Sequence, residues 1–131
     1  VTGVQTCALP ICAAQVHSLE IRPALAAFGR ANLERHGADN VTLETGDAAR
    51  GWPTRAPYDV IVLTGSTPVL PKALLEQLSP GGRLFAVVGE GPVMAAQLVT
   101  CSAPGALRSV ELFDTLLAPL VNAEQPPRFK F

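Results

Sequence analysis

Cysteine, histidine, aromatic residues and charge are all sparse in this chain, and each shortage closes off a class of function. The cysteines are Cys7, Cys12 and Cys101, and the histidines are His17 and His36. Their spacing gives neither a disulfide framework nor a ligand set, so no metal site is expected. Formal net charge is −1 with no basic cluster, which argues against a nucleic-acid surface. No apolar run approaches the ~20 residues needed to cross a bilayer, so no membrane contact is expected. Nothing at the amino terminus has the basic, apolar, small-residue order of a signal peptide, and a cytoplasmic location is expected. Apolar residues, in contrast, are plentiful, at 48% of 131 residues. That is enough for one globular domain with a buried core.

The first residues stand apart. Val1 to Ile11 read word for word as the translation of a common sequencing-library adapter. Residues 1–12 are therefore expected to be a non-native segment, to be left out of functional reasoning. Cys7 and Cys12 then drop out, and Cys101 is expected to be a small core residue on a strand.

From residue 13 onward, apolar patterning alternates between two periods. Val16 to Leu19 is a short apolar run ending at Glu20, consistent with a buried strand. Arg22 to His36 has helical spacing, with Pro23 suited to the first turn and Gly37 to the end. Val41 to Thr45 alternates as a second strand. Gly46 to Pro53 is expected to be a loop with at most one helical turn. Tyr58 to Leu63 is apolar on both faces and stops at Thr64-Gly65-Ser66-Thr67-Pro68. A short helix from Lys72 to Leu78 follows, closed by Pro80-Gly81-Gly82, and then a strand from Leu84 to Val88. Apolar strands alternating with helices imply adjacent parallel strands of an α/β sheet. Ligands in such sheets sit beyond the carboxyl ends of the strands, which marks Thr64 to Pro68. Met94 to Cys101 and Leu107 to Phe113, separated by Ser102-Ala103-Pro104-Gly105, predict an antiparallel hairpin. The tail from Pro119 is expected to be irregular.

Several residues could carry chemistry. Glu20, just past a buried strand, suits either the vicinal hydroxyls of a ribose or a helix-start position. Asp47 is either a ligand-binding carboxylate or an ordinary turn residue. Gly65 would let backbone approach a ligand closely. Gly89-Glu90-Gly91 is not a phosphate loop, because Pro92 interrupts it and a strand pattern follows. His17 is expected to be a satisfied core histidine, and Asp59 to cap a turn.

The run Y-D-V-I-V-L, a leucine-rich helix and L-S-P-G-G-R-L, together with V-H-S-L-E-I-R-P-A-L and G-D-A, resemble the class I S-adenosylmethionine-dependent methyltransferases. The closer resemblance is to the protein-L-isoaspartate O-methyltransferase family, over Val16 to Leu120. It implies an α/β, Rossmann-like sheet with an antiparallel carboxyl-terminal hairpin. Here that sheet is expected to be incomplete, without the family's first strand and glycine-rich loop. Residues 13–131 would then be the carboxyl-terminal part of a methyltransferase-like domain. The family's first strand lies between the strands that end at Glu20 and begin at Tyr58. The gap is expected to be met by residues 1–12 or by direct pairing of those two strands.

The resemblance also implies roles. Glu20, Gly46, Asp47, Ala48 and Thr64 would bind S-adenosyl-L-methionine, Glu20 at the ribose and Asp47 at the adenine amino group. Trp52 would wall the adenine or cap the core. Gly65, Ser66, Thr67 and Pro68 would face the substrate, a protein or peptide bearing an isoaspartyl carboxylate. The family usually has a run of small residues, often alanines, before the proline, and Thr64 and Ser66 depart from it. No catalytic residue is assigned. An ionised carboxylate acceptor needs no general base, only alignment and exclusion of water. The chain by itself is expected to be inactive. Two other readings remain at this point, an NAD-binding α/β oxidoreductase using Glu20 and a methyltransferase-like binding module without catalysis.

Overall fold

The computed structural model describes residues 13–127. The expected non-native segment, residues 1–12, lies outside the described residues. The chain divides into two compact units, Val1–Ala48 and Ala49–Phe131, and each has its own sheet.

In the first unit, strand β1 (Val16–Glu20) and strand β2 (Val41–Thr45) pair in parallel and in register, Val16 against Val41 through Glu20 against Thr45. Helix α1 (Pro23–Arg35) joins them. Pro23 opens it, where a missing N–H costs nothing. Its far end is a Schellman motif: Gly37 N–H donates to Glu34 O at 3.2 Å and Ala38 N–H to Leu33 O at 3.0 Å. Gly37, at φ +64°, supplies the left-handed residue that this closure requires. Gly29 lets the helix lie close on β2, since a Cβ there would meet Leu43 Cδ2 at 3.0 Å. Arg30 Nη2 adds a hydrogen bond to Leu43 O at 3.1 Å.

The second unit starts with a 3₁₀ turn (Pro53–Arg55) and continues as strand β3 (Tyr58–Thr67), helix α2 (Lys72–Glu76) and strands β4 (Leu78–Glu90), β5 (Val93–Ala103) and β6 (Ala106–Asp114). Their spatial order is β3-β4-β5-β6, parallel for the first pair and antiparallel for the other two. Core residues Leu63, Leu74, Leu78, Leu84, Ala86, Val99 and Cys101 come from β3, α2, β4 and β5. Full burial of Leu84 alone contributes on the order of 2 kcal/mol. Cys101 is a free, buried core residue, as expected.

The boundaries around the β3–β4 crossover differ most from expectation. Helix α2 ends at Glu76 rather than Leu78, because the β3–β4 ladder captures the next residues: Tyr58 N–H donates to Gln77 O at 2.7 Å and Leu78 pairs with Tyr58. Pro80-Gly81-Gly82 then lies in a bulge within β4, between the pairs Tyr58–Leu78 and Val60–Arg83. Gly82 is required there, since a Cβ would lie 2.7 Å from Ser79 O and 2.9 Å from Tyr58 O. Strand β3 runs on to Thr67 instead of stopping at Leu63. It does so through a second irregularity: Val62 pairs with Phe85 and Ser66 with Val87, so four steps along β3 match two along β4.

Direct pairing of the strands that end at Glu20 and begin at Tyr58 does not occur. Among the described residues β1 pairs with β2, and β3 with β4, in separate sheets. The alternative, a contribution from residues 1–12, lies outside the described residues. No helix among the described residues is long and apolar enough to cross a membrane.

Candidate functional site

The adenosine-side candidates gather at one end of the first unit. Because β1 and β2 are parallel and in register, both finish at the same level. Gly46 N–H donates to Glu20 O at 3.0 Å, which carries the ladder one residue further. Glu20 therefore closes one strand directly beside the Gly46-Asp47-Ala48 turn that leaves the other. The Glu20 side chain is half-buried and Asp47 is exposed. Glu20 Oε1 accepts the N–H of Arg22, the residue capping α1, at 2.9 Å. One carboxylate oxygen thus serves the helix start, which was the plainer of the two sequence expectations. Among the described residues, the other oxygen makes no further hydrogen bond.

Thr64 to Pro68 belong to the second unit, at the carboxyl end of β3. Thr64 faces solvent in the irregular stretch, whereas Gly65, Ser66 and Thr67 are buried. Ser66 and Thr67 are the buried polar residues among those described. Their burial is offset by hydrogen bonds, as the cost of dehydrating a hydroxyl demands. Thr67 Oγ1 donates to Val69 O at 2.7 Å. Ser66 binds the chain's own tail three times: its N–H to Ala118 O at 2.9 Å, its O from Leu120 N–H at 2.9 Å, and its Oγ–H to Leu117 O at 2.9 Å. A parallel bridge between Ser66 and Pro119 results. The open side of Gly65 is taken by Leu120, whose Cδ2 would lie 2.7 Å from an added Cβ. Pattern reading left Pro119 onward irregular and gave no hint of this contact, because a single bridge across 51 residues or more carries no periodicity.

The remaining candidates have structural roles. Trp52 N–H donates to Gln77 Oε1 at 2.9 Å, and Trp52 O accepts from the Tyr58 hydroxyl, so Trp52 is tied to the start of the sheet. Asp59 Oδ1 accepts from Ser79 Oγ at 2.8 Å, and the same hydroxyl reaches Tyr58 O at 2.9 Å, which pins the β4 bulge. His17 departs from expectation: its Nδ1 is buried and has no hydrogen-bond partner among the described residues, so it is not a satisfied core histidine. Gly89, at φ +129°, lies within β4 opposite Met94, and the chain turns at Gly91-Pro92 into strand β5 rather than into a helix. Among the described residues, no three His, Cys, Asp or Glu side chains converge to hold a metal ion. Two surface hollows, one between α1 and β2 and one beside Asp114 to Leu116, contain none of the candidate residues.

Parallel strands ending at an acidic residue and a Gly-Asp turn, with a parallel pair elsewhere that continues into antiparallel strands, define part of a Rossmann-like class I methyltransferase fold. Solved structures agree. A protein-L-isoaspartate O-methyltransferase structure superimposes with a TM-score of 0.74 at 27% identity, over 82% of this chain and 34% of that one. A putative protein-L-isoaspartate O-methyltransferase from Plasmodium falciparum, in complex with S-adenosyl-L-homocysteine, shares the fold with a TM-score of 0.70 at 20% identity, over 82% of this chain and 52% of that one. The chain belongs to the protein-L-isoaspartate(D-aspartate) O-methyltransferase family, whose profile matches residues 2–125. Among curated relatives, protein-L-isoaspartate O-methyltransferase 1 of Anaeromyxobacter sp. (strain Fw109-5) is 42% identical, over 93% of this chain and 58% of its own length. The protein-L-isoaspartate O-methyltransferase of Hyperthermus butylicus is 40% identical, over 82% of this chain and 45% of its own length. The chain spans about half the length of the curated relatives it matches.

Proposed function

We propose that the protein carrying this chain transfers a methyl group from S-adenosyl-L-methionine to the carboxylate of an isoaspartyl residue in a protein or peptide, as a cytoplasmic repair enzyme. The observation that carries this reading is family membership over residues 2–125, joined to the pairing of Glu20 with Gly46-Asp47-Ala48 at the carboxyl ends of β1 and β2. The residues suit the cofactor. Glu20 keeps one carboxylate oxygen for a ribose hydroxyl, and charge-assisted bonds of that kind are short and strong. Asp47 is a carboxylate at the position where the family resemblance expects the adenine amino group. When bound, the cofactor supplies an electrophilic sulfonium methyl.

The sulfonium would give up its S–CH₃ bond as the acceptor carboxylate gains an O–CH₃ bond, so that a neutral thioether and a neutral ester would result. The acceptor oxygen is already ionised, so the protein needs no general base. Its residues hold the two reactants in line and exclude water. Thr64 belongs to the cofactor side of this reading, and Gly65, Ser66, Thr67 and Pro68 to the acceptor side. The antiparallel β4-β5-β6 end favours this reading over an NAD-dependent oxidoreductase, whose sheet would continue in parallel.

The test is methyl transfer by the full-length protein to an isoaspartyl peptide, against the same peptide with ordinary aspartate. Methylation of the isoaspartyl form only is expected. Replacing Glu20 by Ala should raise the Kd for S-adenosyl-L-homocysteine roughly 10- to 100-fold, the range for a charged hydrogen-bonding group. Equal methylation of both peptides would sink the acceptor assignment, and no cofactor binding at all would leave the binding-module reading. The 131-residue chain alone is expected to bind the cofactor weakly or not at all, and micromolar affinity in calorimetry would contradict that.

A further inference from the structure

We infer that Ser66 is a positioning residue: it pins the strap Thr115–Leu120 across the carboxyl end of the second unit's sheet and so fixes the surface that meets the methyl acceptor. The strap's path follows from strand directions. Strands β3, β4 and β6 point the same way, with β5 reversed between β4 and β6. Asp114, the end of β6, therefore lies at the same end of the sheet as Thr67, the end of β3. From there the chain returns to β3 and bridges Ser66 through Pro119. Both the N–H and C=O of Ser66 point at the strap, so the strap occupies the edge of β3 away from β4.

The hold is specific. Two of the three bonds are backbone bonds that any residue at position 66 would make. The third, from Ser66 Oγ to Leu117 O at 2.9 Å, depends on the hydroxyl, which is 1% exposed with its residue. Gly65 complements it by leaving room for Leu120, which also packs against the core. Held this way, the strap turns Leu116 (66% exposed) and Leu117 (36% exposed) outward, at the same end of the sheet as the exposed Thr64. An apolar strap beside the end of β3 is suited to backbone and apolar side chains flanking the reacting residue of a peptide. The hydroxyl fixes where that strap stands, and so acts on acceptor binding rather than on the cofactor.

The acceptor role rests on the methyltransferase reading, whereas the pinning does not, and the two parts are read separately. Hydrogen exchange of the 131-residue chain should show the Ser66 and Leu120 amides exchanging about fivefold faster in Ser66→Ala than in the unmodified chain. Methylation kinetics of the full-length Ser66→Ala protein should show KM for an isoaspartyl peptide raised about fivefold, with the Kd for S-adenosyl-L-homocysteine unchanged within twofold. Gly65→Ala, which keeps the hydroxyl but displaces Leu120, should raise the same KM, and adding Leu120→Ala should lower it again. Unchanged exchange in Ser66→Ala would overturn the pinning. Faster exchange with unchanged KM would overturn the acceptor role. If the unmodified full-length protein methylates no isoaspartyl peptide, the functional reading fails and the acceptor role falls with it, while the exchange result still decides the pinning.

Discussion

The two units bury their apolar residues very differently. In the second, Leu84, Ala86 and Ala96 are fully buried, and α2 contributes Leu74 at 4% exposure. In the first, α1 buries only Ala26, while Leu25 is 50% and Phe28 is 67% exposed. A two-stranded sheet with one helix leaves most of the helix's apolar stripe without a partner. Glu20, Gly46, Asp47 and Ala48, expected to hold the cofactor, thus sit on the less consolidated unit, whereas Thr64 and the acceptor-side residues sit on the better packed one. Motif content and packing are separate properties: a unit can carry the signature of a function while contributing little to the stability of the chain.

Substitutions can break or sharpen this contrast. Leu84→Ala should have the largest effect, about 2–5 kcal/mol by denaturant titration, because a fully buried leucine leaves a cavity. A loss below about 1 kcal/mol would mean that the second unit's core is not what stabilises the chain. Gly82→Ala should cost roughly 2 kcal/mol in the same titration, because its Cβ would meet backbone oxygens of both Ser79 and Tyr58. Ser79→Ala should cost about 1 kcal/mol, through loss of the hydroxyl that ties the bulge to Tyr58 O and Asp59. Phe28→Ser on α1 should change stability by less than about 0.5 kcal/mol, as for other exposed positions. A larger change there would show that something covers Phe28 in solution and would erase much of the contrast between the units.

What the sequence made legible was local. Val41 to Thr45 is a strand with the bounds its alternation predicts, and α1 starts at Pro23 and closes at Gly37 as those residues require. The β5–β6 hairpin turns at Pro104-Gly105, where Gly105 has φ +79°. The adjacency of Glu20 to Gly46 was also within reach, since parallel strands of equal length end together. The extension of β3 to Thr67 was not, because small polar residues read as a loop and only their partners reveal a strand. Those partners are Val87 and Val88 of β4, reached across a register shift, and for Ser66 also Pro119 of the tail, and neither pairing carries a repeating pattern. His17 illustrates the opposite limit: its strand was evident, but whether Nδ1 finds a donor or acceptor depends on tertiary surroundings.

The bridge from Ser66 to the tail has a kinetic consequence. The sheet β3-β4-β5-β6 is a run of sequence neighbours, so its pairings close short loops, whereas the hydrogen bond from Ser66 to Leu117 spans 51 residues. Loop-closure entropy is regained only after the intervening strands have folded. We predict that the strap docks last. During synthesis the carboxyl end of β3 would then stay open until residues 115–120 emerge. Pulse-labelled refolding offers a check, since the Leu120 amide should gain protection after the amides of β5. Simultaneous protection would mean that the tail takes part in the nucleus.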